Sequence, residues 1–251
     1  MKRNLLVGLF LAGALSACGG GGGGDGGSSP APATSAEGLW IGSTNNGRSV
    51  TGVVLDDGIY WVLYSLVGNS AVIAGAIQGN GTSQNGSFVS SNGKDFNLEG
   101  LGVIDATVSA SYVMKQSFTG AVTYTATGAQ VTFTSSYDSN YELTPSLTAI
   151  AGTYSGSAAT TGGSESATVT ISTSGAISGS GASGCAFSGS ATPRAHGNIY
   201  NVSVTFAGGV CDNGTSTVTG VAHFDAATKL LRSAALNSAR TNGFIYVGTK
   251  P

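Results

Sequence analysis

The chain has 251 residues, of which 41 are glycine and only 9% are charged, and its formal net charge is −2. This charge argues against a nucleic-acid partner, because such proteins gain their affinity from many basic side chains. The low density of basic residues argues equally against a polybasic grip on anionic lipid. No long apolar run follows residue 15, so we expect the rest of the chain to be soluble.

The first 17 residues have the layout of a bacterial signal peptide. Lys2 and Arg3 give the start a positive charge, and the apolar run 5–15 follows. That run has the length of a signal-peptide core, whereas a helix that spans a bilayer needs about 20 apolar residues. We therefore expect residues 1–17 to be a cleaved signal.

Cys18 stands directly behind Leu15-Ser16-Ala17, and this stretch resembles the lipobox of bacterial lipoproteins. The resemblance implies that Cys18 is lipidated and that the membrane is a partner through this anchor, since two or more acyl chains hold a protein stably. An ordinary secretory cleavage site would also carry small residues here. In the sorting rule of enteric bacteria Asp follows the lipidated cysteine of inner-membrane lipoproteins. Gly19 therefore points to the outer membrane, without telling whether the body lies on its periplasmic or its surface side.

Residues 18–36 comprise Cys18 and a segment rich in Gly, Ser and Pro. The segment has almost nothing apolar to bury, so it cannot offset the entropy of ordering. A flexible chain of about 18 residues reaches an r.m.s. distance of roughly 25 Å. The glycine run lacks the ending of a phosphate-binding loop and a strand before it. We therefore interpret 18–36 as a disordered tether.

The rest of the chain alternates apolar and polar side chains, as in 167–171, which predicts an all-β body. Both halves open with Gly-x-aromatic-x-Gly, at residues 38–42 and 152–156. We expect a first β domain at 37–145 and a second at 146–251. Each is predicted to be a small antiparallel β-barrel, with a two-sheet sandwich as the alternative.

Turn signals divide the halves into strands. Asn92-Gly93 predicts a turn between strands at 85–91 and 95–101. Pro145 predicts a single helical turn between the halves, with Thr144 as its N-cap. The bulky interior of the second barrel is predicted to come from Tyr154, Val169, Ile171, Phe187, Val202, Val204, Phe206, Val221, Phe224, Leu230, Ile245 and Val247.

Cys185 and Cys211 are the only cysteines besides Cys18. In an exported protein such a pair predicts a disulfide. The bridge would close a loop of about 25 residues, worth roughly 3 to 4 kcal/mol by chain entropy. Redox catalysis would need a Cys-x-x-Cys spacing, which this pair lacks.

Residues with catalytic chemistry are few. His196 is expected in a solvated loop and His223 packed in a strand, and neither belongs to a metal-binding or hydrolase motif. Asp56-Asp57 is expected in a tight turn, where two carboxylates cannot face each other across a cleft. The sequence therefore predicts no catalytic residues, no metal and no cofactor, and we expect that the protein is not an enzyme.

Aromatic residues form the best candidate for a binding site: Trp40, Tyr60, Trp61 and Tyr64. Exposed Trp and Tyr favour binding surfaces because they bring a large area at low entropic cost. A period of two places Tyr60 and Tyr64 on one face of their strand and Trp61 on the other. The alternative is that these side chains form the core of the first barrel.

The order of lipobox, glycine run and β-rich body resembles tethered surface lipoproteins of the transferrin-binding protein B and factor H-binding protein type. Cys18 and the glycine run carry the resemblance. It implies a non-enzymatic binding or structural module of the cell envelope or surface, with an extracellular or envelope protein as partner, met through the aromatic residues or the loops at a barrel end. The alternative function is a lipocalin-like carrier of a small apolar ligand, which needs a cavity inside a barrel.

Overall fold

The computed structural model describes residues 35–251. Cys18, Gly19, the predicted signal peptide and the tether up to residue 34 lie outside the described residues. Within the described part, no helix is long and apolar enough to cross a membrane. The body is all-β, as the alternation of its sequence predicts.

The first half forms a closed antiparallel barrel. Its strands are β1 (Gly38–Thr44), β2 (Ser49–Val54), β3 (Ile59–Leu66), β4 (Asn69–Asn80), β5 (Thr82–Gln84), β6 (Ser87–Asn97), β7 (Gly102–Val113), β8 (Ser117–Tyr124) and β9 (Gln130–Asp138). Their order is β4-β3-β2-β1-β9-β8-β7-β6, and β4 pairs with β6 to close the ring. The short β5 pairs with β6. The barrel prediction is confirmed for this half.

One prediction about these strands is wrong. Residues 87–91 and 95–97 of the two predicted strands belong to the single strand β6, and Asn92-Gly93 lies at a register shift between Ser90 and Gly93 rather than in a turn. A β-bulge places an extra residue in one strand of a pair and, like a turn, favours glycine. The dipeptide therefore marks a bend in a continuous strand.

The second half is a closed barrel of eight strands in sequence order. They are β10 (Gly152–Thr160), β11 (Gly163–Ile171), β12 (Ala176–Gly181), β13 (Ala186–Pro193), β14 (Ile199–Phe206), β15 (Thr217–Asp225), β16 (Leu230–Leu236) and β17 (Gly243–Thr249). The linker holds a 3-10 turn (Ser139–Glu142) and the predicted helical turn, α1 (Leu147–Ile150). Ser146, not Thr144, caps α1, because its hydroxyl accepts from the Ala149 amide at 3.4 Å.

Most of the predicted interior of the second barrel is confirmed. The predicted residues that lie in its core are Tyr154, Val169, Ile171, Phe187, Val202, Val204, Phe206 and Phe224. Val221 and Ile245 are buried on the opposite side of their strands, in the contact with the first barrel. Leu230 and Val247 are only half-buried. The predicted period of two is confirmed, but the face assigned to β17 is wrong. Phe244 and Tyr246 point inside, so Ile245 and Val247 point outside.

The two barrels pack against each other through the outer faces of their strands. From the first barrel this shared core takes Leu39, Val53, Leu55, Trp61, Leu63, Ala76 and Phe96, and from the second Ile199, Val221, Ala234, Leu236 and Ile245. At its edge, an Arg194 guanidinium nitrogen lies 2.6 Å from an Asp56 carboxylate oxygen. Apolar burial and an ion pair thus join the barrels into one compact body.

Cys185 and Cys211 are joined in a disulfide, as the sequence predicts. The bridge ties the start of β13 to the long connection between β14 and β15. Both cysteines are buried beside the aromatic core of the second barrel. The loop they close contains β13 and β14.

Candidate functional site

The first barrel encloses a cavity of about 410 Å³. Its wall is mainly apolar, and the apolar and aromatic residues that line it include Trp40, Val50, Val54, Tyr60, Val62, Tyr64, Ile77, Phe88, Val108, Phe118, Val122 and Phe133. Because successive strand residues point to opposite faces, the inward positions of each strand line this space. In the second barrel Phe187, Phe206 and Phe244 pack together with ring separations of 5.2 to 5.8 Å, and the pocket that they line is smaller, about 200 Å³.

Strand β3 shows how the sequence builds this wall. Tyr60, Val62 and Tyr64 face the cavity, while Trp61 and Leu63 face the second barrel. Both faces of the strand are therefore apolar, which explains its nearly continuous run of large side chains. The predicted period of two is confirmed here.

Aromatic side chains close the floor of the cavity. The Trp40 and Phe118 rings lie 5.4 Å apart, and Phe88 meets Phe118 edge-on at the same distance. The Trp40 indole donates to the Ala36 carbonyl at 2.9 Å, and the Ala36 amide donates to the Ser83 hydroxyl at 3.0 Å. Ala36 is fully buried. The sequence assigns it to the tether, but the structure places it as part of the floor.

Two of the tyrosines that line the cavity, Tyr60 and Tyr64, lie over glycines of the neighbouring strand β4. A Cβ on Gly75 would overlap the Tyr64 hydroxyl, and one on Gly79 would overlap the Tyr60 ring. Glycine in a strand often marks such a close approach. The glycine-rich β4 therefore gives space to the tyrosine rings, which would otherwise be pushed into the cavity.

A polar cluster is built into the wall beside Tyr64. The Tyr64 and Tyr124 hydroxyls donate to the two carboxylate oxygens of Asp95, at 2.7 and 2.9 Å, and the Asn97 amide donates to the Tyr64 hydroxyl at 3.3 Å. Asp95 has no exposed surface. Burial raises the pKa of Asp95 above its ordinary value, and the two tyrosine hydrogen bonds partly oppose this shift. The hydrogen bonds of this cluster join β3, β6 and β8 in the cavity wall.

The mouth of the cavity lies at the opposite end from the floor, among the turns β1–β2, β6–β7 and β8–β9. An Arg48 guanidinium nitrogen lies 2.7 Å from a Glu99 carboxylate oxygen across this mouth. Arg48 also donates to the Ser65 carbonyl at 2.9 Å, and its guanidinium lies 5.3 Å from the centre of the Tyr64 ring. The mouth is therefore polar and the interior apolar.

The structure places the four predicted binding residues in two locations. Trp40, Tyr60 and Tyr64 line the cavity, and Trp61 lies outside it, in the core between the barrels. All four are buried. Arg48, Glu99 and Asp95 are not predicted from the sequence, because they are ordinary turn and strand residues there and only barrel closure brings them to one end of one cavity.

The two histidines lie away from this cavity. His196 is 60% exposed in its side chain, with Nδ1 3.6 Å from a Glu37 oxygen. His223 is buried and both of its ring nitrogens lack a hydrogen-bond partner. Among residues 35–251, no group of three or more His, Cys, Asp or Glu side chains could hold a metal ion.

Comparisons with known proteins give limited matches. No family model and no curated protein matches the sequence. A protein assigned to the outer membrane of Bacteroides fragilis NCTC 9343 matches the structure with 16% identity and a TM-score of 0.26, over 85% of this chain and 96% of that one.

Transferrin-binding protein B, whose layout the sequence resembles, is among the matched structures. The protein from serogroup B Neisseria meningitidis has 10% identity and a TM-score of 0.31, over 82% of this chain and 66% of that one. A double mutant from Haemophilus parasuis Hp5 has 10% identity and a TM-score of 0.30, over 81% of this chain and 61% of that one. This chain thus spans less than two thirds of those chains, and TM-scores this low transfer no binding property to it.

Proposed function

We propose that this protein is a lipid-anchored binding protein of the cell envelope whose first barrel holds a small apolar ligand. The cavity of about 410 Å³ is the observation that carries the proposal. Ligand sites are typically cavities of about 300 to 1,000 Å³ with an apolar lining and a few placed polar groups. The closed aromatic floor and the polar mouth fit that description. An interior cavity favours a carrier of an apolar ligand over a module whose barrel is filled with side chains.

Three of the predicted binding residues keep a binding role under this proposal. Trp40, Tyr60 and Tyr64 would contact the ligand from the cavity wall, whereas Trp61 would act only through packing. Because these side chains are buried, a protein partner would be met through the loops at a barrel end. The loops at a barrel end are also the second contact route that the sequence predicts.

The anchor is proposed from the sequence alone. Lipidation of Cys18, followed by Gly19, would place the protein on the outer membrane. In the native bacterium, Cys18→Ala should move the protein from the membrane fraction to the soluble fraction, because the acyl chains supply the membrane affinity. An unchanged membrane pool in the Cys18→Ala strain would contradict lipidation and leave the cavity proposal intact.

Ligand binding can be tested with an apolar fluorescent probe, 1-N-phenylnaphthylamine, on the full chain carrying Cys18→Ala so that no attached lipid competes. Probe fluorescence should rise saturably on binding. Val62→Phe and Val122→Phe add volume inside the cavity and should weaken binding by about tenfold, the effect of about 1.4 kcal/mol. Both residues line the cavity.

The matched control is Val113→Phe. Val113 belongs to the same barrel but is the last residue of β7 and is 51% exposed. This variant should bind the probe as the parent does, and circular dichroism should show all three variants folded. Equal loss in the control and the cavity variants, or no saturable signal in the parent, would refute an interior site.

A further inference from the structure

Two charged side chains meet at the mouth of the first-barrel cavity. Among the described residues that line this cavity, Arg48 and Glu99 are the only charged ones. They pair at 2.7 Å, so each already has a partner of opposite charge. A carboxylate head that pairs with Arg48 would therefore compete with Glu99, and a cationic head that pairs with Glu99 would compete with Arg48.

Arg48 is the more firmly held of the two. Its guanidinium donates to the Ser65 carbonyl at 2.9 Å and lies over the Tyr64 ring. Its side chain is 18% exposed. These contacts hold the cation in place without any help from Glu99, because a backbone acceptor and an aromatic face both stabilise a guanidinium.

Glu99 is the more weakly held partner. It lies in the turn between β6 and β7, and its side chain is 32% exposed. The Asn97 side chain accepts from the Glu99 and Leu101 amides, at 2.9 and 3.1 Å, so the turn keeps its backbone shape without the ion pair. The Glu99 carboxylate can therefore turn to solvent while its backbone stays in place.

The geometry points to a long-chain carboxylate as the ligand, with its apolar chain in the cavity and its carboxylate on Arg48 in place of Glu99. The inference rests on the proposed function. A carboxylate matches the planar fork of a guanidinium with two parallel hydrogen bonds. In this exchange Arg48 stays paired with one carboxylate, and the displaced Glu99 carboxylate turns to solvent, which hydrates its charge.

Other head groups fit the mouth less well. A cationic head would have to displace Arg48, the more deeply held residue, from its contact with Glu99. Asp95 is no substitute receptor, because the Tyr64 and Tyr124 hydroxyls already occupy its two oxygens. An uncharged head would leave the Arg48–Glu99 pair closed and gain nothing from it.

The test compares three ligands of equal chain length as competitors of 1-N-phenylnaphthylamine, on the full chain carrying Cys18→Ala. They are palmitate, hexadecanol and hexadecyltrimethylammonium, each used below its micelle concentration. Palmitate should bind about tenfold more tightly than the other two, the size expected for one charge-assisted pair.

Variants assign this preference to the two residues. Arg48→Gln should weaken palmitate about tenfold and leave hexadecanol within about twofold, while Glu99→Gln should tighten palmitate by removing its competitor. Lys94→Gln is the matched control, because Lys94 pairs with Asp105 at 2.5 Å outside the cavity of the same barrel. It should change none of the affinities.

The outcomes separate this inference from the proposed function. If the probe binds but palmitate shows no preference, or Arg48→Gln weakens palmitate and hexadecanol equally, the carboxylate assignment is overturned and the cavity stands. Tighter binding of hexadecyltrimethylammonium than of palmitate would also overturn it. If neither the probe nor any competitor binds the parent chain, the proposed function itself fails.

Discussion

His223 and Arg232 face each other across β15 and β16, on the wall of the second barrel that packs against the first. Neither ring nitrogen of His223 has a hydrogen-bond partner. Burial and the nearby positive charge of Arg232 lower the pKa of His223 to about 4, and Asp138 and Asp225 oppose the shift only in part. The contact between the barrels thus favours the neutral form of the His223 imidazole.

Acid should therefore destabilise the folded chain through His223. The unfolded imidazole takes up its proton near pH 6.5 and the folded one near pH 4, so the unfolded state binds more protons between these values. Stability from this residue is complete above pH 6.5 and is lost as the pH falls towards 4. Between pH 7.5 and pH 5 the loss should be about 2 kcal/mol.

Urea denaturation of the parent and of His223→Leu at these two pH values measures the effect. The variant should lose about 2 kcal/mol less than the parent on acidification, because the other titrating groups cancel in the difference. His196→Leu is the matched histidine control, since His196 is largely exposed. An equal acid loss in the parent and His223→Leu would show that another group is responsible.

Asp95 should give the opposite pH dependence. Its pKa is raised by burial, so the folded state keeps this proton at pH values where the unfolded carboxyl, with an ordinary pKa of 3.8, has lost it. Its contribution to stability is greatest below pH 3.8 and declines as the pH rises through the folded pKa. Asp95→Asn removes the charge, so its stability relative to the parent should improve from pH 4 to pH 8.

The same denaturation series measures this change, with Asp105→Asn as the control. Asp105 is 62% exposed in its side chain on the outside of the same barrel. A difference between Asp95→Asn and the parent that stays constant with pH would mean that Asp95 keeps an ordinary pKa in its cluster.

The sequence predicts the all-β class, most strand positions and the disulfide, because these follow from local alternation and from a lone cysteine pair. It predicts which face of β3 each aromatic residue occupies, but not what lies beyond that face. Trp61 and Tyr64 have equally good patterns for a binding surface and for a core. Only barrel closure and packing of the two barrels decide that one lies between the barrels and the other in a cavity wall.

The candidate site was out of reach for the same reason. Arg48 and Glu99 are 51 positions apart in the chain, and their pairing depends on which barrel end each turn reaches. The bulge in β6 is a second case, since Asn92-Gly93 satisfies the rule for a turn and for a bulge alike. Local sequence cannot separate the two, because the difference lies in the pairing with β7.

The disulfide should stabilise the second barrel. Cys185 and Cys211 are separated by 26 positions, and a loop of this length is worth about 3 to 4 kcal/mol by chain entropy. Reduction should therefore lower the melting temperature, because the reduced unfolded chain gains conformational freedom.

The chain carrying Cys18→Ala is melted with and without dithiothreitol, and a Cys185→Ser, Cys211→Ser variant serves as the control that must not respond. An unaltered melt of the parent on reduction would count against a structural role for the bridge.

Trp61 should act on stability and not on the ligand. Its indole is buried between the barrels, outside the cavity that Tyr60 and Tyr64 line from the same strand. Trp61→Ala removes a large buried side chain and should cost about 3 to 5 kcal/mol in unfolding free energy. Trp61→Phe keeps most of the packing, and should reduce the near-UV circular dichroism while leaving the affinity for 1-N-phenylnaphthylamine within about twofold.

Ile41→Ala, at a residue of the first barrel that is 45% exposed, should change neither quantity. If Trp61→Phe weakened probe binding as strongly as Val62→Phe does, the indole would have to reach the ligand, and the assignment of the two faces of β3 would be wrong.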